Sequence, residues 1–287
     1  MTMIKKLLCA LALLITCNAA SAAGGEFPLD RAPNRINELT SLQNGAKLFV
    51  NYCLNCHSAA SMRYNKLNDI GLTDEQIRTS LLFTGEKVGD LMVGSVGVKD
   101  GKRWFGVMPP DLSVMARAKS INAGPTGSDY IYTYLRTFYR DTSKPTGWDN
   151  LAFPTAAMPH VLYERQGPRE LTTVVTHEHE APGGKKGPAV WERVTTTFDS
   201  LGYATSKTEK LSNYRGHAST EHKFKALDAS RTSAYDSDIA DLTAFLTWVS
   251  EPIQQKRKQI GVWVLLFLGL FFVVAWRLNA SFWKHVK

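Results

Sequence analysis

Cys53-Leu54-Asn55-Cys56-His57 decides how the rest of the chain is read. Two thiols stand three positions apart and an imidazole follows at once, the C-x-x-C-H pattern of covalent c-type haem attachment. Each thiol can form a thioether to one vinyl group of a porphyrin. The tether then holds the ring so that His57 sits beneath the iron as an axial ligand. Other chemistries fit only part of the pattern. A redox dithiol wants a thioredoxin-like βαβ pattern nearby, and none is visible. A zinc site needs a second pair of ligands, and no further Cys pair exists. A disulfide between the two would leave His57 without a role. One covalently attached haem c is therefore the expected cofactor, held by Cys53 and Cys56.

Residues 1–22 read as a secretory signal peptide, with Lys5 and Lys6 at the start, a short apolar run from Leu7 to Thr16, and an Ala20-Ser21-Ala22 cleavage site. Cys9 and Cys17 leave with it, so the mature chain keeps only the haem pair. The formal charge is +8, but the eight surplus bases are Lys5, Lys6, Lys256, Arg257, Lys258, Arg277, Lys284 and Lys287. Residues 23–255 are neutral, which argues against a nucleic-acid partner. Ile260 to Trp276 is 17 residues without a charge, about 25 Å as a helix. Extended to Trp283 it is long enough to span a bilayer. The expected organisation is a signal peptide (1–22), an extracytoplasmic haem domain (23–255), and a single-pass anchor with a short cytoplasmic tail (256–287). The signal peptide sets the orientation: haem domain on the periplasmic side of a bacterial inner membrane, Lys287 in the cytoplasm.

The haem domain reads as mainly α with long loops. Leu42, Ala46, Phe49 and Cys53 recur at helical spacing over 41–52, with Ser41 as N-cap. Gly45 in that helix is either a close helix crossing or a tolerated surface position. Thr73-Asp74-Glu75-Gln76 is a capping box opening a helix to about Phe83. The glycine-rich stretch 84–108 reads as loop. A helix carrying Arg117 and Lys119 follows Pro109-Pro110-Asp111-Leu112-Ser113, and another runs from Ser128 to Arg140. Residues 164–234 are polar, and the His177-Glu178-His179-Glu180 run within them reads as solvated rather than metal-binding. In the last soluble helix Asp236, Asp238 and Asp241 suit the positive end of the dipole, and Glu251-Pro252 stops it.

An electron-transfer haem wants a second axial ligand, and a Met thioether favours reduced iron. The candidates are Met62, Met92, Met108, Met115 and Met158. Met62 lies too close to His57 to cross the ring plane. Met108 and Met158 each precede a proline in extended chain, and spacing alone leaves them level.

Taken together, these stretches resemble the cytochrome c1 family, the haem subunit of ubiquinol–cytochrome c reductase. The likeness rests on Cys53-x-x-Cys56-His57, Pro109-Pro110-Asp111-Leu112-Ser113, Asp129-Tyr130, Ala157-Met158-Pro159 and Phe245-Leu246-x-Trp248-x-x-Glu251-Pro252. The resemblance implies Met158 as sixth ligand, with Pro109 and Pro110 lying along the haem. It places Lys119, with Arg117 nearby, and Tyr130 against the propionates. The family commonly has Arg at the position of Lys119, and Lys is a point charge without the bidentate fork. The resemblance makes 164–234 an insertion. It implies an electron carrier with no catalytic residue and no enzyme activity of its own. Its expected partners are cytochrome b, a Rieske iron–sulfur protein as donor, a cytochrome c as acceptor and membrane lipid, in a dimeric complex. The alternatives are a haem subunit of a terminal oxidase or nitrogen-oxide reductase, or a haem enzyme with an open sixth site.

Overall fold

The computed structural model describes residues 27–122, 124–179 and 190–285. The expected signal peptide over 1–22 lies outside them. The haem motif is delivered by α1 (Leu39–Leu48), which continues through a wide π turn, Phe49–Cys53. Leu42, Ala46 and Phe49 are buried as their spacing predicts. The helix starts before Ser41, which lies buried inside the first turn, with Glu38 extended at its head. The amides of Cys56 and His57 both donate to the Cys53 carbonyl (3.1 and 2.8 Å), closing the motif into a compact turn.

β1 (Ala59–Arg63) pairs antiparallel with the short β2 (Leu91–Met92). Between them lie a 3-10 turn, Tyr64–Ile70, and α2 (Asp74–Ser80). The capping box forms as expected: the Gln76 amide donates to Thr73 Oγ1 (3.2 Å) and the Thr73 amide to Gln76 Oε1 (2.8 Å). The stretch 84–108 is not loop throughout, because it contains α3 (Val98–Phe105). Two of its glycines bracket that helix, and Gly101 lies buried within it. Gly97 precedes it, and Gly106 ends it at φ 75°, a conformation that costs glycine no Cβ clash.

α4 (Met115–Ala118) and α5 (Gly127–Arg136) follow. A second capping box, Thr126 with Asp129, opens α5. The helix stops short of the expected Arg140: Thr137 Oγ1 bonds back to the Thr133 carbonyl (2.9 Å), and Phe138 departs into a fully buried position. Phe138–Arg140 is β3, paired with β4 (Trp148–Asn150).

After α6 (Tyr163–Gln166), four antiparallel strands fill most of the polar stretch: β5 (Arg169–His179), β6 (Val190–Phe198), β7 (Ala204–Leu211) and β8 (Ser219–Ala226), in the order β7-β6-β5-β8. The molecule is helix-rich, and this sheet goes beyond a mainly α description. Thr172, Val174 and Thr176 alternate with Thr173, Val175 and His177 along β5, so neither face is distinctly apolar. One corner fastens the sheet to the body. Leu171 lies opposite Phe198 and Phe224. The Arg169 guanidinium sits 3.7 Å from the Phe224 ring and donates to the Arg136 and Phe138 carbonyls. Among the described residues no group of three or more His, Cys, Asp or Glu could hold a metal ion.

α7 (Ala229–Ser250) is the central core helix. It begins well before Asp236, so Asp236, Asp238 and Asp241 do not lie at its positive end. They pair instead with Arg136 (2.7 Å), Arg165 (2.6 Å) and Arg35 (2.8 Å). Phe245 stacks obliquely on Phe49 of the π turn, ring centroids 5.7 Å apart. α7 crosses α1 at Gly45, where an added Cβ would overlap the Asp241 carbonyl oxygen and lie 2.6 Å from Phe245 Cβ. Of the two readings of Gly45, the close crossing holds.

Glu251-Pro252 ends α7 as expected, and α8 (Gln254–Phe282) starts after a three-residue link, Glu251–Ile253. The link is braced: Arg257 Nη2 donates to Glu251 Oε2 (3.0 Å) and the Gln254 amide to the Glu251 carbonyl (3.1 Å). α8 has 29 residues, about 43 Å. Among the described residues it is the one helix long and apolar enough to cross a membrane.

Candidate haem site

Two stretches of chain clamp together to form the site. Residues 57–61 leave the C-x-x-C-H turn and run beside Pro110–Ser113. His57 Nδ1 donates to the Pro110 carbonyl (2.8 Å), and the Leu112 amide donates to the Ser58 carbonyl (2.7 Å). The Ala60 amide donates to Asp111 Oδ2 (2.8 Å), and the Ser61 amide to Ser113 Oγ (3.0 Å). These bonds explain why Pro-Pro-Asp-Leu-Ser acts as a unit. The prolines face an apolar wall without an N–H to satisfy, and Asp111 and Ser113 supply acceptors. From the other side, Ser95 donates to the Asn55 carbonyl (3.0 Å), and a Cβ on Gly94 would come within 2.8 Å of the Leu54 carbonyl oxygen.

Asp111 also receives the Ser113 amide (2.8 Å). Burial works to raise its pKa, but the bonds from Ser113 and Ala60 outweigh it and hold the carboxyl below its usual range. Its stabilising effect is therefore present above about pH 4 and fades as pH falls further. Asp111→Ala is expected to lower stability by about 1–2 kcal/mol near neutral pH, with Asp111→Asn recovering part. Thermal melts of the detergent-solubilised protein across pH 3–7 measure both, and the two variants should show a flatter acid limb.

Behind the clamp lies a cavity of about 380 Å³, bordered by Cys53, His57, Pro110, Tyr134, Met158 and Leu246 among others. A smaller cavity of about 90 Å³ lies on the side of Cys56, Pro109 and Pro159. The two share His57, Val107, Pro110, Ala157 and Met158, so they are lobes of one slot. The lining is almost wholly apolar, with Lys119 the one charged side chain in the larger lobe.

The donor set fits a haem c. Both cysteines are free. Burial and the nearby Cys56 push the Cys53 thiol up to about 12, the opposite of what a reactive dithiol needs. Burial lowers His57, against the effects of the Pro110 bond and Asp111, and so favours the neutral imidazole a ligand requires. With Nδ1–H committed to Pro110, Nε2 is the atom left to bind iron.

The structure brings Cys53, His57, Pro110, Lys119, Tyr130 and Met158 to the larger lobe, and Cys56 and Pro109 to the smaller. Lys119 Nζ lies 4.7 Å from the Tyr130 ring. Arg117 borders neither lobe; its nearest acid is Glu251, at 3.8 Å. Met108 and Met115 also border the larger lobe, but among the described methionines Met158 alone borders both. Tyr134 is a further residue of the site. It stacks on Tyr130 (5.9 Å between centroids), and its hydroxyl donates to Met158 Sδ at 3.7 Å. The i, i+4 spacing of the two tyrosines put them on one helix face, but the contact with Met158 is tertiary.

The model of the Cytochrome C1 family matches residues 221–286. The chain is 38% identical to the cytochrome c1 of Allochromatium vinosum over 98% of its own length and 99% of that protein. It is also 38% identical to a Nitrosomonas europaea protein named ammonia monooxygenase gamma subunit, over 100% of both chains. The cytochrome c1 of Cereibacter sphaeroides is 24% identical over 99% of this chain and 98% of its own.

Proposed function

The chain belongs to the cytochrome c1 family, and from that premise we propose that it takes single electrons from a Rieske iron–sulfur protein and passes them to a cytochrome c. It does so beside cytochrome b in a dimeric ubiquinol–cytochrome c reductase, without bond-making chemistry of its own. Proteins of this family carry a covalently bound haem c and serve electron transport in a respiratory chain. The observation that carries the reading is that His57 and Met158 both border both lobes of one apolar slot.

In this reading Cys53 and Cys56 would hold the haem through thioethers, and His57 and Met158 would bind its iron. When bound, the haem would supply a one-electron couple. Pro110 orients the His57 ring through Nδ1–H, and Pro109 and Pro110 exclude water from one face. Lys119 and Tyr130, side by side, meet the propionates, while Arg117 is left out. The haem domain is 23–255 on the periplasmic side, with the sheet-bearing stretch 164–234 as an insertion, and the anchor, 256–287, takes in all but the first two residues of α8. A pyridine haemochrome assay that finds no c-type haem would remove this function.

The Nitrosomonas relative supports a second reading, a haem subunit serving an ammonia-oxidising enzyme. Affinity purification from native membranes separates the two. Cytochrome b and a Rieske protein co-purify under the first, monooxygenase subunits under the second.

Tyr134→Phe tests the contact with the proposed sixth ligand. The spectrum should stay six-coordinate while the potential falls by about 20–60 mV, one hydrogen bond's net worth expressed over a one-electron couple. Redox titration followed in the visible band measures it.

A further inference from the structure

A second cavity, of about 340 Å³, lies where the haem domain meets the start of α8. Arg31, Arg35, Arg117 and Lys258 border it, against Asp129 as the one carboxylate in the lining. Arg35 is committed to Asp241 (2.8 Å), and Arg117 reaches Glu251 only at 3.8 Å. Arg31 and Lys258 enter no ion pair among the described residues; Lys258 Nζ donates to the neutral Gln254 Oε1 (3.3 Å), and Arg31 is near enough to help lower the Asp129 pKa. Asp129 is already occupied by the amides of Ala32 (2.8 Å) and Thr126 (2.9 Å). Thr243 also borders the cavity; it is 1% exposed, and its hydroxyl has no hydrogen-bond partner. A buried, unpaired hydroxyl is costly unless something supplies the missing bond. An excess of basic side chains over carboxylates in the lining and a donor held in reserve suit an anion with several acceptor oxygens.

Depth decides which anion. Lys258 stands two residues before Ile260, where the uncharged run of α8 begins, about 3 Å along the helix axis. With α8 in a bilayer, that distance falls inside the headgroup layer, about 5–7 Å thick on each side. We propose that this cavity binds the phosphate headgroup of an anionic membrane lipid, whose acyl chains run down the exposed side of α8. The proposal rests on α8 lying in the membrane, and it is independent of the electron partners.

The test uses the full-length haem-loaded protein in detergent, titrated with dioleoylphosphatidylglycerol or dioleoylphosphatidylcholine and followed by native mass spectrometry. One phosphatidylglycerol should bind on the order of thirtyfold more tightly than phosphatidylcholine, about fivefold for each unpaired basic side chain at a membrane surface. The double variant Arg31→Gln/Lys258→Gln should lose that preference with its haem spectrum and melting temperature unchanged. Thr243→Val should weaken phosphatidylglycerol binding about fivefold. A double variant that keeps the full preference overturns the proposal. So does displacement of the lipid by an equal concentration of inorganic phosphate, which would make this a free-anion site. Release of the wild type from native membranes by alkaline carbonate would instead remove the membrane reading, and the lipid site with it.

Discussion

With Met158 replaced by Leu, the haem is expected to stay attached through Cys53 and Cys56 but to lose its low-spin, six-coordinate spectrum. Leu matches Met in volume, so the fold should lose less than about 1.5 kcal/mol. The electronic effect is much larger. Axial ligands command a span of about 0.8 V, and removing a thioether that favours reduced iron should lower the potential on the order of 0.2 V. For a one-electron couple that is about three decades in the equilibrium with any donor. Visible and electron paramagnetic resonance spectra report the spin state, and redox titration reports the potential. Met108→Leu is the decisive companion, because Met108 precedes a proline in the same way and borders the same lobe. If that variant becomes high-spin while Met158→Leu does not, the sixth ligand is Met108.

Gly45→Ala should lower stability by about 1–2 kcal/mol. The sign is informative. On an open helix surface Ala would stabilise by up to about 1 kcal/mol over Gly. At this crossing the new methyl would overlap the Asp241 carbonyl and press on Phe245 Cβ, both on a helix that has little room to yield. Overpacking of this kind costs about 1–3 kcal/mol and outweighs the helix gain. Leu242 and Leu246, on the same helix, border the haem slot, so the visible spectrum should shift as well. For a domain of this size the melting temperature should fall about 2–8 °C. Gly89→Ala, where an added Cβ meets nothing within 4 Å, is the matched control and should leave it unchanged.

The haem motif was legible because its chemistry is local. Cys53, Cys56 and His57 are fixed by covalent spacing whatever the surrounding fold does. The capping box at Thr73 was legible for the same reason. Gly45 was ambiguous because one glycine looks the same in a helix crossing and on a surface; only the partner, some 200 residues along the chain, decides. The sheet was hidden because period-two alternation betrays a strand only when one face is buried, and threonines occupy both faces of β5. Glycine richness concealed α3, since Gly97 and Gly106 mark its ends rather than an absence of structure. In sequence the aspartates of α7 look like dipole partners because the arginines that pair with them come from other elements. Spacing left Met108 and Met158 level, and the tyrosine that bonds one of them lies 24 residues away.

The braced link between α7 and α8 has a mechanical consequence. α7 lines the haem slot, and only Glu251–Ile253 separate it from α8, with Arg257 reaching back to Glu251. With α8 in a membrane, so short and cross-bonded a joint would hold the haem slot close to the lipid surface. The slot would then behave as a fixed terminal, and whatever ferries charge to or from it would have to do the travelling.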